Sequence, residues 1–254
     1  MIAYLNVLRS EYKKTKNIWG FSISLAGPIV VTLIVAFGTA FNAHKIEGED
    51  AARWFTHGRY IFQFFFFLYP LYVALMAFLL TNIEHKNRGF KQLFTYPAPK
   101  SYFYGSKVVV LLSWILSSLI TAFIMLVLTG KVLAVLFPHT GYTLEVPYQL
   151  FGMFMLRLGL ILLSIIAIHF VLSIYWDNFI VSVGSASFLV VTGMVITNWE
   201  YSFLVPYCYP LKTYISYMGQ NVVIFDRELW IGLAYAVGFF TIGYILMARK
   251  QIKS

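Results

Sequence analysis

The residues able to do chemistry are few, and most lie in one polar stretch between long apolar runs. Residues 84–107 hold Glu84, Lys86, Arg88 and Lys91, then Pro97, Pro99, Lys100 and Lys107. Within this stretch Phe90, Leu93 and Phe94 have i, i+3, i+4 spacing, which puts them on one apolar face of a short helix. Lys86, Arg88 and Lys91 surround that face with positive charge. Pro97 and Pro99 stop any helix, because the residue before a proline is pushed out of the α region. Residues 84–100 are thus expected to form a short amphipathic helix with a hard stop, leading into an apolar run. Such a helix docks a partner or lies on anionic lipid.

Inside the apolar runs, polar groups are sparse. Arg157 stands six residues into its run. A charge at membrane depth is costly and faces a bundle interior or water. Two readings stay open for it: snorkelling to an interface, or a substrate or partner role. His169 is twelve residues further on, on a different helical face, and reads first as a hydrogen-bonded packing residue. Ser113, Ser117 and Thr121 share one face at four-residue spacing, and Ser182 and Ser185 share a face of the fifth run at three-residue spacing. Small polar residues of this kind let membrane helices pack closely; the alternative is a polar transport path. Asp177 is placed to cap a following helix. No metal site is expected, since His44, His57, His85 and His139 are scattered and no pair has helical ligand spacing. Catalytic signatures are also missing from the sequence: there is no Gly-x-Ser-x-Gly elbow, no His-Glu-x-x-His, and no phosphate-cradling Gly-x-x-x-x-Gly-Lys-Ser/Thr. The chain is therefore not expected to be an enzyme by itself or to bind a cofactor.

The elements that carry these residues follow from composition. Apolar residues make up 60% of the 254 and charged residues 11%, against about 45–50% and about 25% in a soluble domain. Six apolar stretches, 18–41, 60–83, 107–128, 151–175, 179–199 and 229–247, are each long enough to cross a bilayer. Lipid offers no hydrogen bonds, so each is expected to be helical. The first run exceeds the core of about 7–15 residues of a secretory signal, so it reads as a retained helix. The expected fold class is all-α: one polytopic membrane domain over residues 1–254, with six transmembrane helices and both termini cytoplasmic. Orientation follows from Lys and Arg, twelve of which fall on the inner side and six on the outer, the bias of the positive-inside rule. Residues 1–17 are expected to form an amphipathic interface helix, with Ile2, Leu5, Leu8 and Tyr12 on one face and Asn6, Ser10 and Lys13 on the other. Residues 200–228, rich in Tyr with Pro206 and Pro210, are expected to fold back at the outer surface, where Tyr is favoured. Cys208 is the single cysteine, which excludes an internal disulfide and a multi-thiolate zinc site. The formal charge of +9 sits on an apolar chain, so nucleic acid is not an expected partner.

The polar stretch also carries a family resemblance. A Glu leaving the second run precedes basic residues, Gly-aromatic-Lys-x-Leu, Pro-x-Pro-Lys and Gly-x-Lys. The positions are Glu84, Arg88, Gly89, Phe90, Lys91, Leu93, Pro97, Pro99, Lys100, Gly105 and Lys107. This pattern resembles the permeases of type-2 ABC exporters, in the branch that gives self-protection against bacitracin and lantibiotics. The resemblance implies a bacterial cytoplasmic-membrane protein that works in antibiotic resistance. It implies a cytoplasmic ABC ATPase as a separate chain, holding ATP and Mg, and a second permease, either a copy of this chain or a paralogue. Glu84, Arg88, Gly89, Phe90, Lys91, Leu93, Phe94 and Pro97 would then couple to the ATPase. Arg157, Ser113, Ser117 and Thr121 are the candidates for a substrate path. An ion-coupled secondary transporter and a non-transporting membrane adaptor are the competing readings. The former would be expected to show broken midplane helices and internal repeats. An intramembrane enzyme would need ionisable residues clustered within the runs.

Overall fold

The computed structural model describes residues 2–15, 19–43, 53–86, 99–142 and 145–249. Every regular element among them is helical. They are α1 (Ile2–Thr15), α2 (Gly20–Phe41), α3 (Arg53–Lys86), α4 (Lys100–Leu136), α5 (Tyr148–Tyr175), α6 (Ser185–Val195), α7 (Tyr209–Met218) and α8 (Arg227–Arg249).

Five helices, α2, α3, α4, α5 and α8, are long and apolar enough to cross a membrane. The expected count was six. The run at 179–199 instead gives a π-turn, Ile180–Gly184, that continues into α6 and ends at Val195. At 1.5 Å per residue that unit is about 24 Å long, short of the roughly 30 Å hydrocarbon core. Its start is capped by Asn178, whose Oδ1 accepts from the Ile180 N–H at 2.8 Å, where Asp177 was expected. In the other direction, α3 and α4 run well beyond their apolar cores, to 34 and 37 residues.

Packing explains which face of each helix is buried. On α2 the buried stripe is Gly20, Ser24, Pro28 and Thr32, at four-residue intervals. These are small residues, and they let α2 lie close against α4. The outward face carries large apolar groups such as Ile34 and Phe37, as lipid requires. Pro28 sits inside α2, and its carbonyl accepts from Thr32 Oγ1 at 2.8 Å. The centre of the bundle is α5. Leu158, Ile161, Leu162, Ile165 and Phe170 on it are fully buried, between α3 on one side and α8 on another.

The two ends of the bundle are distinct. One end gathers α1, the last turn of α3, the first turns of α4 and the last turn of α8, where Lys100 Nζ donates to the Ala248 carbonyl at 2.9 Å. The opposite end gathers the start of α3, the start of α5 and α7, where Tyr217 Oη donates to the Phe55 carbonyl at 2.9 Å.

Between α6 and α8 the chain turns through Ser202–Leu204 and Pro206–Cys208, then enters α7. It dips into the bundle at Tyr207, whose hydroxyl meets His169 Nε2 at 2.7 Å. Gly193 permits this approach: a Cβ there would lie 2.5 Å from the Tyr207 carbonyl oxygen. Gly193→Ala is therefore expected to destabilise the fold by about 1–3 kcal/mol through overpacking. Gly152→Ala, where a Cβ would meet nothing within 4 Å, should be neutral or stabilising. Unfolding of the two purified variants in the same micelles checks the contrast.

Candidate functional site

Two groups of buried charge organise the two ends. The first lies where α1, α3 and α4 meet. Lys107 Nζ donates to Glu11 Oε2 at 2.7 Å and to Glu84 Oε1 at 3.0 Å. Lys14 Nζ donates to Glu11 Oε1 at 2.8 Å and to Glu84 Oε1 at 3.0 Å. The result is a four-membered box of two ammonium groups and two carboxylates. Lys107, Glu11 and Glu84 are each at most 3% exposed, while Lys14 is half-buried. Burial alone would weaken the Lys14 charge, but the carboxylates of Glu11 and Glu84 outweigh it and hold its ammonium above the ordinary lysine value. A buried charge is tolerated only when paired and hydrogen-bonded, and each partner supplies that for the next.

The box depends on the register of α1. Val7, Glu11 and Thr15, four residues apart, are buried, whereas Leu5 and Tyr12 are exposed. The face of α1 that packs is thus rotated from the apolar face read from the sequence, and the two share Leu8. Glu11 was missed there, although its spacing to Lys14 and its place between Val7 and Thr15 carried the signal. The Tyr4 ring packs over α4 beside Gly105, where a Cβ would meet it in ordinary contact at 3.6 Å.

The box brackets the polar stretch. Glu84 ends one flanking helix and Lys107 lies near the start of the other. Arg88, Gly89, Phe90, Lys91, Leu93, Phe94 and Pro97 lie outside the described residues. Pro99 stands at the N-cap of α4, with its fixed φ suited to helix entry.

The second group lies towards the opposite end. The Arg157 guanidinium reaches Asp226 Oδ2 at 2.5 Å, Glu228 Oε2 at 3.0 Å and Thr213 Oγ1 at 3.1 Å. It also donates to the Val223 carbonyl. Lys212 Nζ takes the other oxygen of Glu228 at 2.8 Å. Arg157 is 3% exposed, and its charge is neutralised in place by Asp226 and Glu228, about 70 positions away. The planar fork of Arg suits several acceptors at once. The sequence signal for its partners was the acidic pair opening the last apolar run. Asp226 also caps α8, accepting from the Leu229 N–H at 2.9 Å.

The hydroxyl stripe of α4 lies at helix contacts. Ser113 Oγ accepts from Tyr12 Oη at 2.7 Å, and Ser117 Oγ pairs with Ser24 Oγ at 3.2 Å. Thr121 is half-buried. Ser182 meets Ser173 at 2.9 Å. Among the described residues no group of three or more His, Cys, Asp or Glu could hold a metal ion.

Comparison with known proteins adds one finding. A family model described as ABC-2 family transporter protein matches residues 7–193, well over half the chain, from α1 through α6. No curated protein and no solved structure matches. The matched span takes in the whole charge box and Arg157, and four of the five long apolar helices. The chain accordingly belongs to the ABC-2 transporter family, as a multi-pass membrane component of an ABC transporter that is not itself catalytic.

Proposed function

We propose that this chain is the permease subunit of an ATP-driven exporter in a bacterial cytoplasmic membrane. It pairs with a second permease, a copy or a paralogue, and with two separate cytoplasmic ATPase subunits that hold ATP and Mg. The cargo is a peptide, antibiotic or lipid-like amphiphile moved outward, which would serve self-protection. In this reading the α1 end faces the cytoplasm, as the Lys and Arg bias favours. The Ile180–Val195 unit completes a sixth crossing together with the turns that follow it.

The observation that carries the reading is the Glu11–Lys14–Glu84–Lys107 box. It ties α1 to the two helix ends that flank residues 87–98. A push on that connection is passed to α3, α4 and α1 together, because the four charges cannot separate without leaving one buried and unpaired. Energy for transport can then enter from a separate motor docked on Phe90, Leu93 and Phe94, with Arg88 and Lys91 beside them.

The test is purification in mild detergent from the native cell, with the co-purifying chains identified. A nucleotide-binding ATPase is expected in stoichiometric amount. Phe90→Asp with Phe94→Asp should release it while the helical content and melting of the bundle stay unchanged, since removing apolar anchors from an interface commonly costs at least about 2 kcal/mol of binding. ATPase retained by that variant would place the docking surface elsewhere. No ATPase under any complex-preserving condition would overturn the permease reading.

A further inference from the structure

At the end of the bundle opposite the charge box, α2 and α3 diverge around a cleft of about 480 Å³, within the usual range for ligand sites. Its two halves differ in chemistry. Toward the middle of the bundle it is walled by Ile34, Val35 and Phe64, and at its mouth by Asn42, Arg53 and Tyr142. Ile34 and Phe64 are 59% and 45% exposed, so the apolar half opens sideways, where lipid chains lie. Arg53 begins α3, and Phe64 is eleven residues deeper, about 16 Å along the axis. At 34 residues α3 is about 51 Å long, more than the roughly 40–45 Å of a bilayer with its headgroups. An α3 of this length reaches at least the headgroup layer at its Arg53 end when it crosses a bilayer, and the apolar trough lies deeper along the same helix.

Arg53 carries the argument. Its Nε is buried and has no hydrogen-bond partner among the described residues. Among the described residues lining the cleft it alone bears a charge. Two neighbouring groups are turned to their own helix: Asn42 Nδ2 donates to the Gly38 carbonyl at 2.8 Å, and Thr39 Oγ1 to the Val35 carbonyl at 2.9 Å. His57 is fully buried behind the mouth, with Nε2 on Thr129 Oγ1 at 3.1 Å and Nδ1 facing Tyr142 Oη at 3.4 Å. Thr129 Oγ1 itself donates to the Met125 carbonyl at 2.7 Å. It therefore accepts from His57, which leaves Nδ1 as the acceptor for Tyr142. His57 and Tyr142 thus satisfy each other behind Arg53, and its guanidinium keeps an unused N–H at the head of an apolar trough. An unmade bond at a buried donor is costly, and phosphate or carboxylate oxygens match a guanidinium in geometry and charge.

We infer that the α2–α3 cleft binds an amphiphile with an anionic headgroup, its head on Arg53 and one chain against Ile34, Val35 and Phe64. The site gives the permease reading a substrate class, an anionic lipid-like molecule held at the exit end, and to that extent rests on it. The binding itself needs only the membrane-embedded bundle.

The test uses the purified full chain and native mass spectrometry in micelles, titrated separately with phosphatidylglycerol, phosphatidylcholine and inorganic phosphate. Phosphatidylglycerol is expected to bind about tenfold more tightly than phosphatidylcholine, the scale of one charge-assisted hydrogen bond. Arg53→Gln should erase that preference, and Arg53→Lys, which keeps the charge without the fork, should keep part of it. Arg59→Gln, an exposed residue on the same helix outside the cleft, should leave it intact. Equal affinity for the two lipids, an unchanged preference in both Arg53 variants, or an equal loss in Arg59→Gln would each overturn the site. Inorganic phosphate binding as tightly as phosphatidylglycerol would overturn the lipid assignment. None of these readouts involves the ATPase, so failure here is distinct from failure of the co-purification.

Discussion

Lys107→Met is expected to destabilise the bundle by about 3–5 kcal/mol, the usual consequence of breaking a buried ion pair from one side. Lys107 is 2% exposed and serves both Glu11 and Glu84. Without it, two buried carboxylates share Lys14, which is partly in water and cannot replace a second buried cation. Removing a carboxylate as well should reverse much of the loss. In Lys107→Met with Glu11→Gln, Glu84 keeps Lys14 as its partner, and the cluster returns to neutrality. The pairwise coupling expected from the cycle is about 1–3 kcal/mol. Urea unfolding of the single and double variants in mixed micelles measures it. Additive losses would mean that the four charges do not act as a unit, and a stable Lys107→Met protein would show that the box does not hold α1 in place. The same cycle bears on transport, because a bundle that keeps its fold with α1 released should hydrolyse ATP through its partner without moving cargo.

The second large effect is expected at Arg157. Arg157→Leu removes the common partner of Asp226, Glu228, Thr213 and the Val223 carbonyl. Glu228 keeps Lys212, and Asp226 is 26% exposed, so water takes up part of the stranded charge. The loss should therefore lie near the lower end for a buried pair, about 3 kcal/mol. It should fall on α7 and its flanking turns more than on the long helices. Cys208 is a built-in reporter. It is the single cysteine, it is fully buried, and its Sγ donates to the Gly193 carbonyl at 3.3 Å. A membrane-permeant maleimide should label it slowly in the unsubstituted protein and at least about tenfold faster in Arg157→Leu, as local opening falls by the scale of a kilocalorie or more. Arg157→Lys should lie between the two, because one ammonium cannot span all four acceptors. Unchanged labelling in Arg157→Leu would show that the cluster does not clamp this region.

What could be read from the sequence follows from what the solvent enforces. A helix facing lipid must be apolar along its length, so α2, α3, α4, α5 and α8 announce themselves by hydropathy. The same signal underestimates α3 and α4, whose ends project past the hydrocarbon where polar residues are tolerated. It overestimates the run at 179–199. Its last residues, Ile196 to Trp199, form a turn, because Gly193 admits the Tyr207 backbone and the chain folds back. Charge pairing was harder to read. Glu84 and Lys107 stood out because both interrupt or border apolar runs. Glu11 did not, since its spacing to Lys14 and its place between Val7 and Thr15 become meaningful only once the packing face of α1 is known. Asp226 and Glu228 lie some seventy residues from Arg157, and no local periodicity links them. The unused N–H of Arg53 depends on where α2 and α3 part, which is a matter of tertiary packing alone.

The short helix α7 has a consequence for how the protein is made. Ten residues long, it covers about 15 Å and cannot be inserted as a crossing in its own right. Its Tyr209, Thr213 and Tyr217 are completely buried. The surfaces that cover them come mainly from α3 and α5, synthesised earlier, and Tyr209 also meets α8, synthesised later. Gly232 of α8 packs under the Tyr209 ring, 3.3 Å from a Cβ position, and Glu228 supplies the charge that Arg157 and Lys212 share. A nascent chain that has emerged only as far as Met218 thus holds a polar, tyrosine-rich segment with part of its housing missing. This segment can settle only after the last crossing has entered the bilayer. Lesions in the first turn of α8 should therefore act during biogenesis, leaving earlier helices inserted and α7 with its flanking turns open to quality-control proteolysis.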